Sequence, residues 1–152
     1  SGEYFQVWRQ LAAAGLVEGA YTGQAGPGGT WDSVIDTNVP RSKLSSAGWS
    51  AGNWNYSGVS YAGDAFNFAA DYGNFLVFGT TNSTTLTSRR ILKPEEAWNI
   101  DTKLDDAVPG MGRVIAGNWP NCTNASSQTN NNTTYKLDTA TIGCTLYFAR
   151  SF

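Results

Sequence analysis

Apolar residues recur at helical spacing in the opening stretch of the chain, from Glu3 to Gly19. The i, i+3, i+4, i+7 pattern of one helix face is followed by Tyr4, Phe5, Trp8, Leu11, Ala12, Gly15 and Leu16. Glycine tolerates the left-handed conformation that ends many helices, so we expect the helix to stop at Gly19. Because the rest of the chain has the pattern of short strands and loops, this helix is expected to pack against a sheet through Phe5, Trp8, Leu11 and Leu16.

Further along, runs of aromatic and β-branched residues predict strands. The clearest run, residues 74–81, is continuously apolar and is therefore expected to be a central strand. Other strands are predicted near Leu86, over residues 113–116 and over residues 139–148. The region 32–63 has no clear period, and we interpret it as an ordered connection.

A second helix is predicted to begin at Pro94, because proline suits the first helical position and Glu95 and Glu96 suit the positive end of the helix dipole. Its inner face would carry Ala97, Ile100 and Leu104, with Trp98 and Asp101 beside them. The sequence thus predicts an α+β fold in which a leading helix lies against an antiparallel sheet.

Length and composition fit a single domain over residues 1–152. We interpret Ser1-Gly2 as the remnant of an expression tag. Charged residues make up only 14% of the chain, and polarity comes from Asn, Ser, Thr and Gly, which is common in secreted domains. The formal charge of −2 and the scattered basic residues do not suggest nucleic-acid binding. No stretch reaches the ~20 apolar residues of a membrane span.

The two cysteines, Cys122 and Cys144, flank a polar loop, and we expect them to form a disulfide. Closing a loop of about 23 residues would stabilise the fold by roughly 3.4 kcal/mol on the chain-entropy model. The alternative is a pair of separate buried thiols.

Histidine is absent, which removes the commonest general base and the usual zinc ligand. No nucleophile-elbow or phosphate-binding glycine motif occurs either. We therefore expect no catalytic residue, no cofactor and no enzymatic activity.

Three carboxylates, Asp101, Asp105 and Asp106, lie close together in the sequence and are candidate ligands for calcium, which takes hard oxygen donors. Their spacing is not that of an EF-hand. The alternative is that Asp101 pairs with a nearby Arg or Lys while the other two accept hydrogen bonds from backbone N–H groups in a turn.

Aromatic residues in the segment GWSAGNWNYSG are candidates for stacking on sugar rings. They are Trp49, Trp54 and Tyr56, and nearby Asn side chains could hydrogen-bond hydroxyl groups. The alternative, which we favour, is that these rings pack a long loop onto the sheet.

Three segments together resemble the type IV pilin-like proteins of bacteria, which include minor pilins and the pseudopilins of type II secretion. They are the leading EYFQVWRQLAAAGLVEGAYTG, the central AWNIDTKLDDAVPGMGRV and the closing NCT and IGCTLYF. The central segment is the most specific, since the family pattern is IDxKxDDGxPxxG. This chain has Ala107 where such sequences often have Gly.

The resemblance implies a subunit of an extracellular or periplasmic pilus-like filament or pseudopilus, whose partners are other pilin-like subunits. Residues 3–19 would then be the second half of a longer helix whose membrane-spanning first half is absent from this sequence. The subunit would be anchored in the inner membrane through that helix before assembly and would afterwards lie at the cell surface or in the periplasm. The alternative function is a secreted carbohydrate-binding module.

Overall fold

A computed structural model describes residues 3–44, 46–54 and 66–152. Within these residues the fold class is α+β, as predicted from the sequence. The helices and strands, in chain order, are α1 (Glu3–Ala13), β1 (Gly48–Trp54), β2 (Gly73–Gly79), α2 (Pro94–Leu104), β3 (Val114–Ala116) and β4 (Leu146–Phe148).

Helix α1 is shorter than the sequence predicted. It ends at Ala13, and Gly15 adopts a φ of 72°, the left-handed conformation of a helix C-cap. The Leu16 N–H donates to the Leu11 carbonyl at 2.9 Å, which is the 6→1 hydrogen bond of a Schellman C-cap. The predicted stop at Gly19 is therefore wrong, because an earlier glycine already ends the helix.

The predicted apolar face of α1 is only partly buried. Phe5 and Trp8 are buried, and Leu11 is half-buried. Leu16 is 72% exposed because it lies beyond the helix end, so its predicted packing on a sheet is wrong.

The loop that follows α1 folds back onto the helix. The rings of Tyr4 and Trp31 lie 4.6 Å apart, centroid to centroid. Gly23, with a φ of 70°, lies so close to α1 that a Cβ there would meet the side chains of Gln6 and Arg9. The left-handed conformation favours glycine at this position, and any larger residue would also have to displace the flexible side chains of Gln6 and Arg9.

The chain divides into two compact units, Ser1–Gly52 with Val77–Arg89, and Asn53–Leu76 with Arg90–Phe152. The first contains α1, and the second contains α2, β3 and β4. That the chain is one domain stays a prediction.

The strands form a four-stranded sheet in the order β1-β2-β4-β3 within the described part of the chain. The position of β2 inside this sheet confirms the central strand predicted from its apolar run. Strand β1 was not predicted, since its sequence GWSAGNW has no regular alternation. No strand forms at Leu86, which is buried. Its segment contacts β2 through the Thr87 hydroxyl, which donates to the Val77 carbonyl at 2.8 Å, and Thr80 and Arg89 form an isolated bridge just beyond β2.

Strands β3 and β4 are antiparallel, and Ile115 lies opposite Tyr147. Strand β3 was predicted, whereas β4 is shorter than the predicted strand over residues 139–148. The N–H groups of Gly143 and Cys144 both donate to the Leu92 carbonyl at 2.9 Å, which takes this segment out of the β3–β4 pairing. Ile142, within the predicted strand but outside β4, is 51% exposed, whereas Cys144 and Leu146 are completely buried.

The predicted disulfide between Cys122 and Cys144 is present. Both cysteines are completely buried. The Cys144 carbonyl also accepts the N–H groups of Ile91 and Leu92, at 2.8 and 3.0 Å, just before α2. The disulfide therefore fixes the polar loop to the segment that leads into α2.

Helix α2 begins at Pro94, as predicted. The Lys93 N–H donates to Oε2 of Glu96 at 2.8 Å, which closes the first turn. The buried face differs from the prediction, since it carries Pro94, Ala97 and Asp101 and packs on β3. Leu104 follows Ala97 and Asp101 on the same side of the helix, but it lies in the last turn and is 64% exposed, so its predicted burial is wrong.

Candidate functional site: the acidic turn after α2

The three candidate carboxylates lie together where α2 meets β3. We call residues 101–112 the acidic turn. It begins with the last turn of α2, where the Asp105 N–H donates to the Asp101 carbonyl at 2.7 Å. A carboxylate oxygen from each of Asp101, Asp105 and Asp106 lies within 4.8 Å of the others. The turn thus brings three acids together, as their sequence spacing suggested.

All three carboxylates accept backbone hydrogen bonds, and those of Asp105 and Asp106 come from the residues that follow them in the chain. Oδ2 of Asp105 accepts the N–H groups of Arg113 and Val114, the latter at 2.9 Å. Oδ1 of Asp106 accepts the Val108 N–H at 2.8 Å. This confirms the backbone-bonding role that the sequence offered as the alternative to calcium binding.

Asp101 is completely buried in the inner face of α2. Its Oδ2 accepts a 2.8 Å hydrogen bond from the Tyr135 hydroxyl, and its Oδ1 accepts the Ala107 N–H at 3.2 Å. The expected pairing of Asp101 with an Arg or Lys is therefore wrong. A neutral phenol occupies the buried site, because burying a second full charge carries a desolvation cost that a phenol avoids.

Burial raises the pKa of Asp101 to about 6, and the hydrogen bonds from Tyr135 and Ala107 oppose this rise. The nearby charges of Asp106 and Asp105 raise the pKa further. The pKa of Tyr135 is also raised, first by burial and then by the charge of Asp101. Asp101 therefore titrates near pH 6, well above the ordinary range of an aspartate.

Two arginines fasten the end of the acidic turn. Arg113 Nη2 donates to the Arg150 carbonyl at 2.9 Å, and Arg150 Nη2 donates to the Gly112 carbonyl at 2.8 Å. Gly112 has a φ of 72°, and a Cβ there would overlap the Asp105 carboxylate. The turn is thus closed by a glycine and held by two exposed side chains.

The same oxygens have the chemistry of a hard-cation site, since carboxylates are the ligands that calcium prefers. In this arrangement Asp105 and Asp106 each already use one oxygen for backbone N–H groups, and Asp101 uses both. Calcium binding at this turn stays a prediction.

The aromatic candidates for sugar binding are packed against other rings. Trp49 lies 4.9 Å from Phe78, centroid to centroid, and Trp54 lies 4.5 Å from Phe75. Trp49 and Trp54 are an odd number of positions apart in β1, which places their side chains on opposite faces of the strand. The structure therefore does not bring these two rings together, and Tyr56 lies outside the described residues.

Sequence reasoning missed two partners of the site. Tyr135 lies in the polar loop, 34 residues from Asp101, and nothing in its local sequence marks it. The positive φ of 62° at Ala107 was also missed, although the expectation of Gly at this position in the family pattern was a signal.

Neither described helix is long and apolar enough to cross a membrane. The buried disulfide is typical of proteins that fold in an oxidising compartment. Comparison with protein-family models, curated proteins and solved structures found no match for the chain. The function proposed below therefore rests on the described residues and their geometry.

Proposed function

We propose that the chain is the globular part of a subunit of a type IV pilus-like filament or pseudopilus. In this proposal the protein works by assembly rather than by catalysis. Its partners are other pilin-like subunits, and the filament lies at the bacterial cell surface or in the periplasm.

The observation that carries the proposal is the folding of the segment AWNIDTKLDDAVPGMGRV, the most specific part of the family resemblance. Its three aspartates all accept hydrogen bonds within or next to the acidic turn. Carboxylates used in this way shape a turn, whereas a general acid or base must keep an oxygen directed at a substrate. This use of acids supports a structural role for the segment.

The order of elements also supports the proposal. A helix comes first, strands of an antiparallel sheet follow, and a loop bounded by Cys122 and Cys144 precedes the last strand, β4. A subunit exposed outside the cytoplasm benefits from such a bridge, because a disulfide stabilises by restricting the unfolded chain. We further propose that the buried Phe5 and Trp8 of α1 face the sheet, as the resemblance to pilin-like proteins implies.

Carbohydrate binding, the alternative function, has no specific observation in its favour. Two of its three candidate rings lie on opposite faces of β1 and pack on Phe78 and Phe75. We therefore do not propose it.

The gene sequence upstream of Glu3 tests the proposed function. A short basic leader ending in Gly, followed by about 20 apolar residues interrupted by one Glu, is the expected result, because such a stretch can span a bilayer. A cleavable signal peptide directly before Glu3 would contradict the proposal and would favour a separately secreted module.

A further inference from the structure

Asp32, in the first compact unit, is a buried acid without a counter-charge. It is 1% exposed and forms no ion pair with any described residue. Oδ2 of its carboxylate accepts the Gly28 N–H at 2.7 Å, whereas no group in the described part of the chain donates a hydrogen bond to the buried Oδ1. Burying a carboxylate oxygen without a partner carries a large desolvation cost. This oxygen is therefore available to a ligand that compensates its charge.

Two glycines make room beside the Asp32 carboxylate. Both belong to residues 26–32, which we call the glycine loop. Neither Gly26 nor Gly28 has a positive φ, so their backbone conformations do not demand glycine. A Cβ at Gly26 would lie 2.3 Å from Oδ2 of Asp32, and a Cβ at Gly28 would lie 1.5 Å from the Ser83 carbonyl oxygen. Glycine is needed here because the backbone approaches these two oxygens closely.

The Ser83 carbonyl supplies a second oxygen at the same place. It accepts no hydrogen bond from a described residue. The position that a Gly28 Cβ would take lies 1.5 Å from this oxygen and 3.0 Å from Oδ2 of Asp32, so an anionic and a neutral oxygen border one space. Gly28 and Ser83 are both exposed, and water can therefore supply further oxygen ligands from the surface.

Backbone hydrogen bonds hold the glycine loop around the carboxylate. The Gly26 N–H and Nδ2 of Asn38 both donate to the Asp32 carbonyl at 2.9 Å, and the Asp32 N–H donates to the Gly29 carbonyl at 3.0 Å. A ligand that binds here does not have to order the loop first, which lowers the entropic cost of binding.

We propose that Asp32, the glycine loop and the Ser83 carbonyl form a calcium-binding site. Calcium takes about six to eight oxygen ligands from carboxylates, backbone carbonyls and water, and it tolerates irregular geometry. Oδ1 of Asp32 and the remaining lone pair of Oδ2 can bind the ion together, while Oδ2 keeps its hydrogen bond from Gly28.

The charge of the site sets the expected affinity. A single carboxylate gives a dissociation constant on the order of 10⁻⁴–10⁻³ M, the range of extracellular calcium modules. The site shares no residue with the acidic turn, and the inference does not depend on the filament proposal.

Thermal unfolding of the full chain with added calcium chloride tests the proposal. Calcium at about 10 mM should raise the folding equilibrium constant about tenfold or more, because a ligand of the native state stabilises it in proportion to its concentration over its dissociation constant. Asp32→Asn keeps an oxygen for the Gly28 N–H but removes the charge, and it should lose this response. Asp138→Asn, the same change at an exposed aspartate, should respond as the wild type does.

Amide chemical shifts of the wild-type protein locate the ion. We expect the amides of Gly28, Asp32 and Ser83 to shift with the same calcium dependence as the unfolding midpoint. Magnesium and potassium chloride at matched ionic strength should shift them clearly less, because magnesium demands near-ideal octahedral geometry and potassium carries half the charge.

Three results would overturn the proposal. They are no stabilisation at 10 mM calcium, equal stabilisation of Asp32→Asn, and shifts that are confined to the acidic turn or equally large with potassium. The first two would indicate a carboxyl group that is protonated or bridged by water. If Asp32→Asn does not fold, the wild-type shifts decide, since they need no variant.

Discussion

Asp101 combines a buried position with a titratable group, and its pKa makes stability depend on pH. The pKa is about 6 in the folded protein and about 3.8 in the unfolded chain, so the folded state binds a proton more tightly. Its contribution to stability is therefore fully present below about pH 3.8 and is lost as the pH rises through about 6.

We predict that Asp101→Asn removes this dependence. A rise in pH from about 4 to 7 should lower the free energy of unfolding of the wild type relative to the variant by about 2 kcal/mol, most of the equivalent of the pKa difference between the folded and unfolded states. Urea unfolding of both proteins across this range measures the difference. Parallel pH profiles of the two proteins would contradict the buried, raised-pKa state of Asp101.

Ala107 occupies a conformation that favours glycine, with a φ of 62°. We predict that Ala107→Gly raises the free energy of unfolding by about 1 kcal/mol, because the left-handed region costs a non-glycine residue about 1–2 kcal/mol while glycine adds some unfolded-state entropy. Thermal or urea unfolding measures the change. In the matched control Ala12→Gly, within α1, the same chemical change should destabilise by about 1 kcal/mol. Equal effects at both positions would contradict the φ at Ala107.

At the scale of single elements, α1 depends on its buried ring. Trp8 is 6% exposed, so Trp8→Ala should lower the free energy of unfolding by about 3 to 5 kcal/mol through lost burial and a remaining cavity. Trp31, which is 39% exposed, provides the control, and Trp31→Ala should cost clearly less. Denaturant unfolding of the two variants compares them, and an unchanged midpoint for Trp8→Ala would contradict the buried helix face.

The disulfide links the polar loop with the segment before α2, and its loss should affect both. Replacing Cys122 and Cys144 together by Ala should lower the free energy of unfolding by about 3 kcal/mol, since the bridge closes a loop of 22 residues. Hydrogen exchange should then increase at Ile91 and Leu92, whose N–H groups bond the Cys144 carbonyl. Unchanged exchange at these two amides would show that the bridge does not support the start of α2.

The elements that could be predicted are those whose signal is local. Pro94 with its following glutamates marks the start of α2, and the apolar run of residues 74–81 marks a central strand. The end of α1 was predicted at Gly19, with Gly15 on the helix face, because local sequence does not tell which of the two glycines ends the helix. Strand β1 shows no alternation of apolar and polar residues, because Gly48, Ser50 and Gly52 occupy buried positions of the strand.

The candidate site also has features that the local sequence predicts and features that depend on the tertiary fold. The clustering of the three aspartates follows from their spacing at a helix end and was predicted. Their partners were not, because Tyr135 and the edge of β3 are brought to the turn by the tertiary fold. In particular, the pairing of Asp101 with a phenol instead of a cation depends on burial, which spacing alone does not reveal.

At the scale of the whole molecule, two features fit a role in assembly. The acidic turn closes one edge of the sheet, and the disulfide bounds the loop that comes before β4. Both features stabilise the fold, which suits the filament role that we propose for this chain.

The most direct measurement is immunogold electron microscopy of native cells that carry an epitope tag at Asn132, an exposed residue of the disulfide-bounded loop. The account predicts label on surface filaments or on a periplasmic pseudopilus, and loss of those structures when the gene is deleted. Label found only on free monomers in the medium, with filaments unchanged by the deletion, would contradict it.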